Sequence, residues 1–288
     1  MALLNDNDIA GLTQFKIPVH KLAPLQTVVL SPGKKLSYRL YFSSHFDIKK
    51  PAVLNILIHG MGGDSRYFAQ LAHGLTILND QVVVLTPDLP GHGPHIKDID
   101  VQNQHPEVQD PESIVRYLEI ILQKNMEQSF SNLSTINILG HSLGAGVALK
   151  WAYQSKRVFH KMVLVAPYLS LNLNIEGPLF DKWIQKEQDG FRLLLNPKLK
   201  FGSEVEFYHN SYLSSCLLDR KYFIEFIENS KKVTIVASSK DFIVDFEQLK
   251  KTSQEWKVNF IQEENLSHLG LVTSPEMTSK YCELLQDE

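Results

Sequence analysis

Short apolar runs that show no polar alternation constrain this chain more than any other feature. Val53–Ile58 and Val82–Leu85 are nearly continuous, and Ile136–Leu139, Met162–Ala166 and Val233–Ala237 share their β-branched, apolar character. A strand without alternation is one covered on both faces, the situation of a parallel strand flanked by helices. Helical patterns separate the runs. Tyr67 to Leu78 follows the first of them. Asp110-Pro111-Glu112 reads as an N-cap, a proline at the first helical position and an acid in the first turn. Ile114, Leu118, Ile121 and Leu122 then recur at helical spacing. Val258–Ile261 is a further strand, and Ser274-Pro275-Glu276 opens a last helix with the same cap chemistry. Strand and helix in alternation predict an α/β fold with a doubly wound, mostly parallel sheet.

Two stretches depart from that rhythm. Thr27–Leu30 and Leu36–Phe42, joined through Ser31-Pro32-Gly33-Lys34, read as a β-hairpin whose alternating second strand has one solvated face. Pro167 to Ser230 holds helix-like pieces and many aromatics (Trp183, Phe191, Phe207, Tyr208, Tyr212, Phe223, Phe226) with no clear strand run. The expected organisation is an N-terminal extension over 1–26, an α/β core over 27–166 and 231–288, and an inserted helical cap over 167–230.

Bulk properties narrow the class. The chain has 288 residues, which suits one large α/β domain with an insertion. It is 43% hydrophobic and 21% charged, ordinary values for a globular protein. A formal charge of −3 gives no reason to expect nucleic acid or an anionic membrane as a partner. No apolar run approaches the roughly 20 residues that span a bilayer. Met1 to Gly11 carries acids and no basic n-region, so no secretory signal is read and a cytoplasmic location is the expectation. Cys216 and Cys282 are the only cysteines, and they imply neither a disulfide framework nor a thiolate metal site.

Gly140-His141-Ser142-Leu143-Gly144 lies between the Ile136–Leu139 strand and the helix-patterned run Ala145–Ala152. That context is what G-x-S-x-G needs to act as a nucleophile elbow, in which the serine occupies a strained strand-to-helix turn with its hydroxyl pushed out above the sheet. Side chains at Gly140 and Gly144 would clash with the neighbouring strand and helix. A serine hydroxyl is a poor nucleophile at neutral pH, so it needs a base within reach and a group that orients the base. In open α/β sheets such groups gather at the carboxyl ends of the strands. Asp241 follows the Val233–Ser239 strand, and His268 lies just beyond the next strand, giving the order Ser142, Asp241, His268 that an elbow serine requires. Asp245 competes for the acid role, but it stands at the start of a helix where an acid has a capping explanation. The second demand is an oxyanion hole of two backbone N–H groups. Leu143, directly after the serine at a helix N-terminus, supplies one, and Met61 in the loop His59-Gly60-Met61-Gly62-Gly63-Asp64 supplies the other.

With these residues in place, the chain resembles the α/β-hydrolase fold family, in particular its lysophospholipase, monoacylglycerol-lipase and proline-iminopeptidase-like branch. The resemblance rests on His59-Gly60-Met61-Gly62, Asp88-Leu89-Pro90-Gly91-His92-Gly93 and Gly140-His141-Ser142-Leu143-Gly144, and it runs from about Thr27 onward with the cap only loosely included. It implies catalytic roles for Ser142, Asp241 and His268 and oxyanion roles for the Leu143 and Met61 amides. The Asp88–Gly93 loop shapes the fold and has no catalytic role in this reading. His59 and His141 support the active loops by hydrogen bonds.

His92, His95, Asp98, Asp100 and His105 look like metal ligands, but their spacing fits no standard pattern. An exposed polar loop accounts for them, and no metal, nucleotide or redox cofactor is expected. The expected activity is that of a serine hydrolase cleaving a carboxylic ester, acyl-glycerol or lysophospholipid-like, whose acyl or alcohol group is apolar. Amide, peptide or thioester cleavage and acyl transfer use the same triad. A silent ligand-binding protein is the alternative from outside enzymology, and it would be favoured by a missing triad member, whereas all three are present in order.

Overall fold

A computed structural model describes residues 22–31, 34–61, 63–89, 92, 111–123, 130, 132–155, 157–167, 184–187, 190–194, 205–209 and 232–286. The apolar runs become the strands β3 (Ala52–Ile58), β4 (Val82–Pro87), β5 (Leu133–His141), β6 (Lys161–Val165) and β10 (Val233–Ser238), with β11 (Asn259–Glu263) at the edge. They pair in parallel in the order β4-β3-β5-β6-β10-β11. Every residue of β4, β6 and β10 is buried, which is why these strands carry no polar alternation. The hairpin of β1 (Leu25–Ser31) and β2 (Lys34–Phe42) adds two antiparallel strands beside β4 and completes an eight-stranded sheet.

Helices cover both faces. On one side α2 (Pro111–Ile121) and α3 (Leu143–Ser155) pack Ile114, Leu118 and Trp151 against Leu54, Ile56 and Ile138. On the other, α1 (Ala69–Leu78) and the later helix of Pro275–Leu285 pack Leu71, Leu75 and Tyr281 against Leu57, Leu139 and Val163. Each large apolar side chain taken fully out of water contributes about 1.5–3 kcal/mol, so these two layers hold the sheet. Between them α4 (Phe246–Glu255) and the short α5 (Gly270–Thr273) follow β10 and β11, which makes the Pro275–Leu285 helix α6. Ser274 caps α6 by accepting from the Met277 N–H, with Pro275 at its first turn, as the sequence predicts. Among the described residues no helix is long and apolar enough to cross a membrane.

The sheet also buries a polar row. Asn55, Asn137 and Lys161 lie side by side on β3, β5 and β6, beneath the carboxyl end of α6. The Asn137 amide donates to Asn55 Oδ1 at 3.0 Å and to the Leu285 carbonyl at 3.1 Å. Lys161 donates to the Gln286 carbonyl. Carbonyls at the end of a helix have no partner within it, and here strand side chains supply them.

The expected helical cap is corrected where its residues are described. Ile184–Glu187 (β7), Gly190–Leu194 (β8) and Val205–His209 (β9) form a separate three-stranded antiparallel sheet in the order β7-β8-β9. The reason lies in the period. Phe191 and Leu193 flank Arg192, and Val205 and Phe207 flank Glu206, an alternation suited to antiparallel strands and easily missed in segments of four or five residues. The other cap aromatics singled out above, Trp183, Tyr212, Phe223 and Phe226, lie outside the described residues, as do Asp110 and Cys216.

Candidate active site

The turn between β5 and α3 is held by contacts that leave no room for alternatives. A Cβ at Gly140 would lie 2.3 Å from the Gly144 carbonyl oxygen, and one at Gly144 would lie 2.3 Å from the Ile58 carbonyl oxygen. Ser142 sits between them with φ of 53°, in the left-handed region that non-glycine residues enter at a cost of about 1–3 kcal/mol. Its N–H donates to the Val165 carbonyl at 2.8 Å, and its own carbonyl accepts from Ala145 N at 3.1 Å. Neighbouring strand and helix therefore hold the strained conformation in place. The Leu143 N–H stands at the start of the thirteen-residue α3, where backbone donors have no intrahelical partner.

Asp241 lies just past the end of β10 and His268 lies between β11 and α5. The structure brings them together. His268 Nδ1 and Asp241 Oδ2 are 2.6 Å apart, with side-chain exposures of 7% and 0%. The other carboxylate oxygen accepts from Ile243 N at 2.8 Å and Val244 N at 3.2 Å. A carboxylate so occupied accepts, so the imidazole donates to it through Nδ1. Asp245 is placed elsewhere: it caps α4 by accepting from the Gln248 N–H at 3.0 Å.

Two further histidines frame the turn. His141 Nε2 is 3.1 Å from the His268 carbonyl, which only accepts, so Nε2 carries the proton and Nδ1 accepts from the Tyr67 hydroxyl at 3.1 Å. The His141 and His268 rings lie 4.5 Å apart. Burial holds the His141 pKa well below the usual range, and the nearby His268 adds to this. Tyr67 was legible only as the start of a helix. The helix begins at Ala69 instead, leaving Tyr67 in a turn with its ring stacked on His141. No sequence signal distinguishes that position.

His59, at the end of β3, bonds the Gly60 carbonyl through Nδ1 at 2.7 Å and accepts from Leu89 N through Nε2 at 3.0 Å. Burial, with His92 adding to it, pushes its pKa down to about 3. A Cβ on Gly60 would lie 3.3 Å from Ser142 Cβ, so this loop touches the elbow directly. Met61 is half-buried and packs on the core.

Asp88, at the carboxyl end of β4, is 1% exposed and accepts from the Ser37 hydroxyl and, at 2.5 Å, from Ser65 N. Burial raises its pKa against these hydrogen bonds, with the Asp64 charge adding to the rise. His92 corrects the expectation of an exposed polar loop. It is buried, with its ring 5.0 Å from that of His59 at the end of β3. His95, Asp98, Asp100 and His105 lie outside the described residues, as do Gly62, Pro90, Gly91 and Gly93. Among the described residues no group of three or more side chains is arranged to hold a metal ion.

Comparison with known proteins gives three kinds of likeness. Residues 49–259 match the family described as Serine aminopeptidase, S33. An uncharacterized protein of Mycobacterium tuberculosis (strain ATCC 25618 / H37Rv) is 32% identical over 122 residues, covering 40% of this chain and 29% of the relative. The match thus spans under a third of the length of that curated relative. Among solved structures, a soluble variant of monoglyceride lipase from Saccharomyces cerevisiae, in complex with a substrate analog, is similar with a TM-score of 0.68 at 16% identity. The likeness covers 91% of this chain and 93% of that one. Est1E from Butyrivibrio proteoclasticus is similar with a TM-score of 0.59 at 16% identity, over 91% and 99% of the two chains. At such identities the solved structures share the fold.

Proposed function

The chain belongs to the serine aminopeptidase S33 family of α/β hydrolases, and from that premise we propose that it cleaves a carboxylic ester through an acyl-enzyme on Ser142. His268 takes the Ser142 proton through Nε2 as the hydroxyl attacks the carbonyl. Asp241 holds the imidazole tautomer and stabilises the cation that forms. The Leu143 and Met61 amides receive the charge that develops on the acyl oxygen. The leaving alcohol takes a proton from His268, and water then attacks the acyl-enzyme with the same groups assisting. The observation that supports this reading most is the 2.6 Å bond between His268 Nδ1 and Asp241, formed by residues 27 apart on the loops that follow adjacent strands.

An ester with an apolar acyl or alcohol group is the proposed substrate, in keeping with the lipase and esterase among the similar structures. The family description favours a second reading, cleavage of a peptide bond at an amino terminus. The two readings separate on a panel of p-nitrophenyl esters of rising chain length beside aminoacyl p-nitroanilides. The mechanism is tested by labelling the protein with a fluorophosphonate and mapping the adduct. One adduct on Ser142, lost together with turnover in Ser142→Ala, is expected. Turnover retained in that variant, or an adduct elsewhere, removes Ser142 as the nucleophile.

A further inference from the structure

We propose that His59 is a positioning residue of the oxyanion hole, holding the Gly60–Met61 peptide so that its N–H is aimed at the acyl oxygen. The inference rests on the roles proposed above for Ser142 and Met61.

The peptide in question has one end fixed. The Gly60 carbonyl accepts twice, from His59 Nδ1 at 2.7 Å and from Gly63 N at 3.1 Å. No peptide among the described residues is cis. In a trans peptide the carbonyl and the N–H point in opposite directions, so clamping the Gly60 oxygen fixes the direction of the Met61 N–H. That N–H donates to no group among the described residues. The Gly60 Cα faces the elbow, since a Cβ there would lie 3.3 Å from Ser142 Cβ and 2.8 Å from His141 Nδ1.

A clamp is needed because of the glycine that this close approach demands. Glycine admits backbone angles closed to other residues, so an unrestrained Gly60–Met61 peptide rotates at little cost. Rotated, it would present a carbonyl oxygen to a developing negative charge.

Histidine meets the requirement in a way few side chains do. The clamp needs a donor at Nδ1 and, at the same time, an acceptor at Nε2 for the Leu89 N–H, 3.0 Å away. A neutral imidazole has one of each, and its two partners select the tautomer. With 1% exposure, His59 has no water to exchange these bonds with. Its pKa of about 3 keeps the ring neutral wherever a histidine general base can work.

Two variants take the ring apart. In His59→Asn the amide stands near Nδ1 and retains the donor to the Gly60 carbonyl. In His59→Gln the side chain reaches the Nε2 position and retains only the acceptor for Leu89 N. Rates are taken per active site, counted by fluorophosphonate titration. The Gln variant is expected to lose about 10²-fold in kcat, the order seen when one oxyanion donor is removed, with KM and the pH profile unchanged. Its affinity for an alkyl trifluoromethyl ketone, which becomes tetrahedral on the serine, should fall in proportion. The Asn variant is expected to recover roughly tenfold of that loss. Equal losses in the two variants, or full kcat in the Gln variant, would overturn the proposal and leave His59 as a tie between two loops.

A test on the unsubstituted protein is imidazole 15N NMR. A His59 ring protonated on Nδ1 and silent between about pH 5 and 8 is expected, and one protonated on Nε2 or titrating in that range overturns the proposal. Failure of the underlying reading would look different, because turnover would then survive Ser142→Ala whatever the His59 variants do.

Discussion

The loops that leave β4 and β10 make the same gesture to different ends. Each starts at the carboxyl end of a fully buried parallel strand, and each turns on an aspartate that is itself buried, Asp88 and Asp241. Asp88 spends its oxygens on the Ser37 hydroxyl and the Ser65 N–H, groups that belong to the framework. Asp241 uses one oxygen to accept from two amides of its own loop and turns the other to the ring of His268. A strand end and burial are thus common to a structural aspartate and to the proposed catalytic acid. What separates them is whether the partner is able to carry a proton through a reaction. The same distinction removes Asp245, whose partner is the first turn of a helix.

Substitutions at these three positions test how far the comparison holds. Asp241→Asn should lower kcat by about 10⁴-fold with the fold intact, because an amide in place of the carboxylate supports the wrong imidazole tautomer. Steady-state kinetics beside thermal melts check this, and a loss below tenfold would return the acid role to another residue. Asp88→Ala should leave kcat per active site unchanged while the melting temperature falls, since each buried group left without its acceptor costs about 1–3 kcal/mol.

Asp88→Asn isolates the charge. The folded-state pKa of Asp88 is raised, so across the window above the ordinary value of 3.8 the folded protein holds a proton that the unfolded chain has released. Stability contributed by this group is therefore lost as pH rises through that window. Denaturant titrations at a series of pH values should show the slope in the parent protein and its loss in Asp88→Asn. The smallest effect is expected for Asp245→Ala, a loss of about 1 kcal/mol from a missing helix cap, with kcat unchanged.

Legibility in the sequence followed how local each cause is. The elbow was readable because its glycines are required by atoms a few residues or one strand away, and the Gly144 contact with the Ile58 carbonyl bears that out. The pairing of Asp241 with His268 followed from topology, since β10 and β11 are neighbours and parallel. β7 to β9 escaped because short strands of an antiparallel ladder carry only a faint period of two. The burial of His92 and the stacking of Tyr67 on His141 escaped for another reason. Each is decided by loops that meet only after the sheet has formed, and no pattern within either segment records the meeting. Asn55 and Asn137 stood inside apolar runs, and their pairing is set by the register of β3 against β5.

The bond from Asn137 to the Leu285 carbonyl has a consequence for how the molecule is made. It joins the strand that carries the elbow to a helix end 148 residues further on. Contacts so distant in sequence are paid for in loop-closure entropy before they return anything, and they slow the search for the native topology. During synthesis the strand bearing Ser142 leaves the ribosome long before its partner does. Asn137 and Lys161 must then wait for their carbonyl acceptors until residues 285 and 286 are released. A nascent chain stalled short of α6 therefore holds the strand that leads into Ser142 with Asn137 and Lys161 still lacking the carbonyls they donate to.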